Sequence, residues 1–115
     1  MIEKQDELRE TASLLAAKGK GLLAVDESTP TIGKRLAGIN VENTEANRQA
    51  YRGMLFNAEG LGAYISGTIL FEETLYQDHL DGGTMLAKLD NLGIIPGIKV
   101  DKGLSPLAGA GPLET

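Results

Sequence analysis

The sequence predicts an α/β fold built on parallel strands. Segments of helical periodicity alternate with short apolar runs rich in β-branched residues. Their order is helix, strand, helices, strand, helix, strand, the pattern of βαβ units. The helical segments close on glycine, where the chain can turn.

Residues 2–17 form the first helix. Leu8, Ala12 and Leu15 recur at helical spacing, acidic residues fill the first turns, and Lys18 with Gly19 ends it. Leu22 to Val25 is a short buried strand. Thr31 to Ala37 is a short helix with Gly38 as its stop. Residues 44–59 form the second clear helix, with Asn43 or Thr44 as N-cap and Gly60 closing it. Its apolar face carries Ala50, Tyr51, Met54, Leu55 and Ala58. Residues 63–71, AYISGTILF, are a buried strand. Gly82 and Gly83 mark a turn, and Met85 to Leu92 is a helix that stops at Gly93. Residues 94–100, IIPGIKV, are a third apolar strand, where Pro96 suggests a strand beginning or an irregularity. The tail, LSPLAGAGPLET, is turn-rich without a period.

No repeat and no boundary divides residues 1–115, so the chain reads as one unit. Three parallel strands do not close a barrel, and an open sheet of three leaves its edges exposed. The expected fold is therefore α/β and incomplete.

Composition narrows the function. The apolar runs are too short to span a membrane. A net charge of -5 gives no basic face for nucleic acid. The chain has no cysteine, which removes disulfides, thiolate metal sites and cysteine nucleophiles. Its acidic start, MIEKQDELRE, is neither a secretory signal nor a transit peptide. The setting expected is cytoplasmic, or a plastid if a transit peptide has been removed. Dinucleotide, P-loop and zinc-hydrolase motifs are absent from the sequence, and no metal or other cofactor is expected.

Chemistry-bearing residues gather at the strand ends. Asp26 and Glu27 follow the first strand, and the carboxyl ends of strands are where α/β folds bind ligands. For an isolated aspartate there, capping the next helix is the commoner role. Ser28, Thr29 and Thr31 precede a helix start, where hydroxyls and free N–H groups suit a phosphate. They also suit capping. Lys99 interrupts an apolar strand, and an unpaired buried ammonium is costly, so it needs a carboxylate or an anion. Asp26 is a reasonable partner if the strands are adjacent. Otherwise Lys99 sits on an edge with its head in water. Glu72 and Glu73 follow the second strand, but His79 stands at no familiar metal spacing. Glu42, Arg48 and Arg52 read as a charged helix surface.

Four stretches, LLAVDESTPTIGKRL, ENTEANRQAYR, ISGTILFEETLYQ and PGIKVDKGLSPLAG, resemble in that order the N-terminal third of class I fructose-1,6-bisphosphate aldolases. The resemblance runs from about residue 5 to residue 109. ENTEANRQAYR and LFEETLYQ are closer to the plastid and cyanobacterial type than to the animal type, where a histidine commonly stands at the position of Glu72.

The resemblance implies the N-terminal part of a TIM (β/α)8 barrel. The family's enzymes cleave fructose 1,6-bisphosphate to dihydroxyacetone phosphate and glyceraldehyde 3-phosphate in glycolysis, and run the reverse in gluconeogenesis. No metal is needed, because a lysine forms a Schiff base with the ketone. Asp26 then resembles the aspartate that assists proton transfer, and Lys99 the lysine beside it that contacts phosphate. Ser28 and Thr31 fall at hydroxyls near the substrate's phosphate, and Arg35 and Arg48 at arginines associated with substrate binding. The implied partner is a sugar phosphate, and the whole protein is expected to be a homo-oligomer.

Pro30 stands where the family often has glycine or asparagine, and GAGPLET drifts from the family pattern. The Schiff-base lysine is expected beyond Thr115, since such a barrel takes about 250 residues. The chain alone is therefore expected to be inactive and unstable or oligomeric. The alternative is a truncated, non-catalytic module that binds a sugar phosphate or a protein.

Overall fold

The structure, a computed structural model, describes residues 4–109 and 111–112. The element order is α1 (Gln5–Leu15), β1 (Gly21–Val25), α2 (Thr29–Ala37), α3 (Glu45–Phe56), α4 (Leu61–Tyr64), β2 (Ile65–Leu70), α5 (Glu72–Leu75), α6 (Met85–Asn91) and β3 (Ile95–Ile98). The strands form one parallel sheet in the order β1-β2-β3. Strands entered through helices in this way all run in one direction, so their carboxyl ends share one edge.

The core lies between the sheet and its helices. It is made by Val25, Phe56, Leu70, Met85, Leu89 and Ile94. Ile32 and Leu36 bury the inner face of α2. The central strand β2 is buried along most of its length. β1 is not the buried strand that its apolar sequence suggests: Leu22 is 58% exposed, and only Val25 is buried. β1 is an edge strand, and among the described residues little covers the face that carries Leu22.

The helix ends follow local chemistry. Thr44 caps α3 by accepting the Asn47 N–H at 3.1 Å, and Thr84 caps α6 by accepting the Ala87 N–H at 3.0 Å. Gly60 and Gly93 take left-handed conformations past the ends of α3 and α6. α1 is helical as its periodicity predicts, but it buries no residue, and Leu8 and Ala12 are exposed. Its last turn alone meets the sheet, where Leu15 lies against Gly67. A Cβ at Gly67 would stand 2.5 Å from Leu15 Cδ2, so glycine is what permits the approach. The expected start of this helix at residue 2 lies outside the described residues.

Two short helices were not legible as such. Ala63 and Tyr64 belong to α4, so β2 starts at Ile65 rather than residue 63. α5 begins at Glu72, directly after β2. β3 is shorter than the apolar run that announces it and leaves Lys99 just beyond its end. Pro96 lies inside this strand, which is tolerated because β3 is an edge strand.

Candidate functional site

The carboxyl edge of the sheet carries the polar residues. β1 ends on buried Val25, and the next residue, Asp26, emerges half-buried at the rim. Ser28 takes an extended conformation as N-cap of α2, but its hydroxyl caps no backbone N–H. It shares a hydrogen bond with Thr31 Oγ1 at 3.1 Å instead. Pro30 fits this start because the first turn of a helix requires no N–H from it.

Lys99 is anchored by its own backbone, whose N–H donates to the Leu70 carbonyl at 2.9 Å. Its Nζ lies 2.9 Å from Asp101 Oδ2 and 3.7 Å from Asp26 Oδ2. The strands bearing Asp26 and Lys99 are not adjacent as anticipated. β2 separates them, and two strand spacings amount to roughly 10 Å. The long lysine side chain reaches across the end of β2. The hydrogen bond to Asp101, joined by the charge of Asp26, raises the Lys99 pKa against the opposing effect of desolvation. Lys99 is therefore a cation at neutral pH, suited to holding an anion. A nucleophilic amine needs the opposite shift.

A cavity of about 500 Å³ opens beside this pair, lined by Ser28, Phe71, Glu72, Lys99, Asp101 and Lys102 among others. Hydroxyl and ammonium donors and a carboxylate rim thus share one opening with an aromatic wall. Glu72 stands out in the sequence as one of two carboxylates after the second strand, whereas Phe71 and Lys102 carry no motif that singles them out. Only their places just after β2 and β3 signal the edge they occupy.

Arg35 and Arg48 are not brought to this cavity. Arg35 donates to Glu27 Oε2 at 2.7 Å. Arg48 grips Glu73 with two hydrogen bonds, each 2.9 Å, and donates to Asn43 Oδ1 at 2.9 Å. Those bonds hold the Glu73 carboxyl below the usual range and raise Arg48.

The charged helix surface read from Arg48 and Arg52 is overturned. Arg52 is 0% exposed. Its Nη2 donates to the Glu27 carbonyl at 2.6 Å, its Nη1 lies 3.7 Å from Glu73 Oε1, and its Cζ stands 5.7 Å above the Phe71 ring. Burial pushes its pKa down, and the charges of Glu27 and Glu73 oppose that. The partners come from 25 and 21 residues away, so neighbouring sequence carries no sign of them.

The two carboxylates after β2 diverge, Glu72 to the cavity and Glu73 to the arginines. His79 is buried, donates through Nε2 to the Gly53 carbonyl at 3.1 Å and accepts the Asp81 N–H at Nδ1. Among the described residues no cluster of histidine and carboxylate side chains could hold a metal ion. No helix among them is long and apolar enough to cross a membrane.

Residues 7–115 match the family model described as fructose-bisphosphate aldolase class-I. The chain is 63% identical over 105 residues to a chloroplastic fructose-bisphosphate aldolase of Oryza sativa subsp. japonica, covering 91% of this chain and 27% of that protein. It is 62% identical over 105 residues to the cytosolic fructose-bisphosphate aldolase 7 of Arabidopsis thaliana, covering 91% of this chain and 29% of that protein. Its fold matches fructose-bisphosphate aldolase of Plasmodium falciparum, solved in complex with TRAP and a small-molecule inhibitor. The TM-score is 0.90 at 51% identity, over 96% of this chain and 32% of that one. The chain thus spans between 27% and 32% of the length of these relatives. Its three parallel strands are part of a (β/α)8 barrel that does not close among them. By the extent of the family match and by its identity to these proteins, the chain belongs to the class-I fructose-bisphosphate aldolases.

Proposed function

We propose that residues 1–115 are one N-terminal portion of a single aldolase barrel and supply half of an active site that cleaves fructose 1,6-bisphosphate. The observation that carries this is the 3.7 Å approach of Lys99 Nζ, which lines the cavity, to Asp26 beside it. Asp26 is placed to move a proton at the reacting carbons. Lys99, held as an ammonium, binds a phosphate and orients the aspartate rather than attacking the ketone. Ser28, which lines the cavity, offers its hydroxyl to the same anion, and Thr31 stands behind it through their shared hydrogen bond. Arg35 and Arg48, tied to Glu27 and Glu73 away from the cavity, are left as arginines associated with substrate binding by the resemblance alone. The imine belongs to another lysine of the barrel, outside this chain. The whole protein acts as a homo-oligomer, in the cytoplasm or in a plastid, as relatives from both settings support.

Borohydride trapping tests this. The protein at its natural length, treated with fructose 1,6-bisphosphate and borohydride, is expected to lose activity and carry reduced substrate on a lysine other than Lys99. Labelled Lys99, or no cleavage before trapping, would overturn the assignment. The 115-residue chain alone is expected to show no cleavage.

A further inference from the structure

We propose that Arg52 is a positioning residue for the Asp26–Lys99 pair, an assignment that rests on reading the cavity as part of an aldolase site. Arg52 lies outside the cavity lining and touches the backbone and side chains that form its wall from behind. It donates to the Glu27 carbonyl, and Glu27 lies between Asp26 and Ser28 in the chain. It stands over Phe71, a wall residue, and beside Glu73, the neighbour of wall residue Glu72. One cation therefore ties the exit of β1 to the exit of β2.

Lys99 is tied to that same exit by its N–H bond to the Leu70 carbonyl. Asp26 and Lys99 are thus both referenced to the end of β2, one through Arg52 and one through the backbone. β1 and β2 also pair directly as far as Val25 and Leu70, so Arg52 fixes the chain just beyond that ladder, and the Asp26–Lys99 separation depends on it there. Stability alone gives a poor account of Arg52. Its Nε and Nη1 are buried without hydrogen-bond partners, as is Glu27 Oε1. A buried ion pair replaced as a whole by apolar side chains commonly loses little stability, whereas removing Arg52 alone leaves the Glu27 carbonyl and Glu73 without that partner. The tie between two strand ends is what an apolar side chain cannot supply.

The test uses the protein at its natural length and reads two quantities. One is the kcat and KM for fructose 1,6-bisphosphate. The other is the rate at which acetic anhydride labels the Lys99 amine, followed by mass spectrometry, which needs no activity. Arg52→Met keeps the apolar stem and removes the cation. It is expected to lower kcat about tenfold or more, as misplaced reacting groups do, with little change in KM. Labelling of Lys99 is expected to rise about threefold as Asp26 moves away and the ammonium loses its charge partner. Arg52→Lys, which retains a cation and a donor for the Glu27 carbonyl, is expected to keep the wild-type labelling rate.

Unchanged Lys99 labelling in folded Arg52→Met, with folding checked by its melting curve, overturns the proposal whatever the activity, because the proposal requires Asp26 to move away from Lys99 in the folded protein. If Arg52→Met does not fold, Glu73→Gln decides. It weakens the second anchor of Arg52 and is expected to raise labelling by a smaller factor; an unchanged rate overturns the proposal. Absence of cleavage by the wild-type protein overturns the aldolase assignment alone, and the labelling rates still decide the role of Arg52.

Discussion

Behind the exits of β1 and β2, the guanidinium groups of Arg48 and Arg52 are buried or nearly so and find partners far along the chain, whereas at the exit of β3 the half-buried Lys99 has its nearest partner two residues away. Arg48 and Arg52 meet Glu73 and the Glu27 carbonyl only once the fold has formed. Lys99 finds Asp101 two residues away, and Asp101 is 61% exposed. The first arrangement is fixed by desolvation, since opening it strands a charge in the interior. The second exchanges partners at little cost, because water and salt already screen it. The sheet edge thus has a rigid side that sets positions and a compliant side whose cation exchanges partners more readily.

Removing the cation on the compliant side should produce the largest functional effect. Lys99→Ala in the natural-length protein is expected to lower kcat/KM for fructose 1,6-bisphosphate by about 100-fold, the loss typical of a charge-assisted contact at a reacting site. Its thermal midpoint should stay near that of wild type. Steady-state kinetics beside a melting curve separates the two effects.

The rigid side should show the reverse. Glu73→Gln is expected to cost about 1–2 kcal/mol of stability, as a carboxylate with two arginine hydrogen bonds is replaced by a neutral amide at a partly solvated position. Denaturant unfolding measures it. The Glu73 carboxyl is held below the usual range by Arg48. A depressed carboxyl contributes stability that is complete above its unfolded-state pKa and lost as pH falls through the folded value. The gap between wild type and Glu73→Gln should therefore be widest near neutral pH and close below about pH 4. A gap that persists in acid would mean that packing rather than charge holds the rigid side.

The smallest effect is expected at Asp101. Asp101→Asn should leave the thermal midpoint unmoved while making the Lys99 amine more reactive toward acetic anhydride, since Asp101 is the largest influence on Lys99. A clear drop in midpoint would remove the distinction between the two sides.

What could be read from sequence followed the range of the forces involved. Thr44 as a cap, Gly93 as a stop and the alternation of helix and strand depend on residues within a turn of each other, and all are present. The meeting of Asp26 with Lys99 followed from strand direction and from the cost of an unpaired ammonium, although β2 lies between them. Arg52 was read as surface because an arginine on a polar helix face looks the same whether water or Glu27 lies beyond it. The exposure of β1, Leu8 and Ala12 was hidden for the same reason: periodicity reports which face is apolar, not whether anything covers it.

Pro96 governs what β3 can recruit. The Lys99 N–H points to Leu70, so by strand alternation Gly97 also turns its backbone groups toward β2, while Pro96 and Ile98 turn theirs away. Proline brings no N–H, which leaves Ile98 as the donor on the outward edge of that stretch. A strand from another molecule would find little there to pair with. That gap in the edge disfavours cross-pairing between neighbouring chains before their folds are complete.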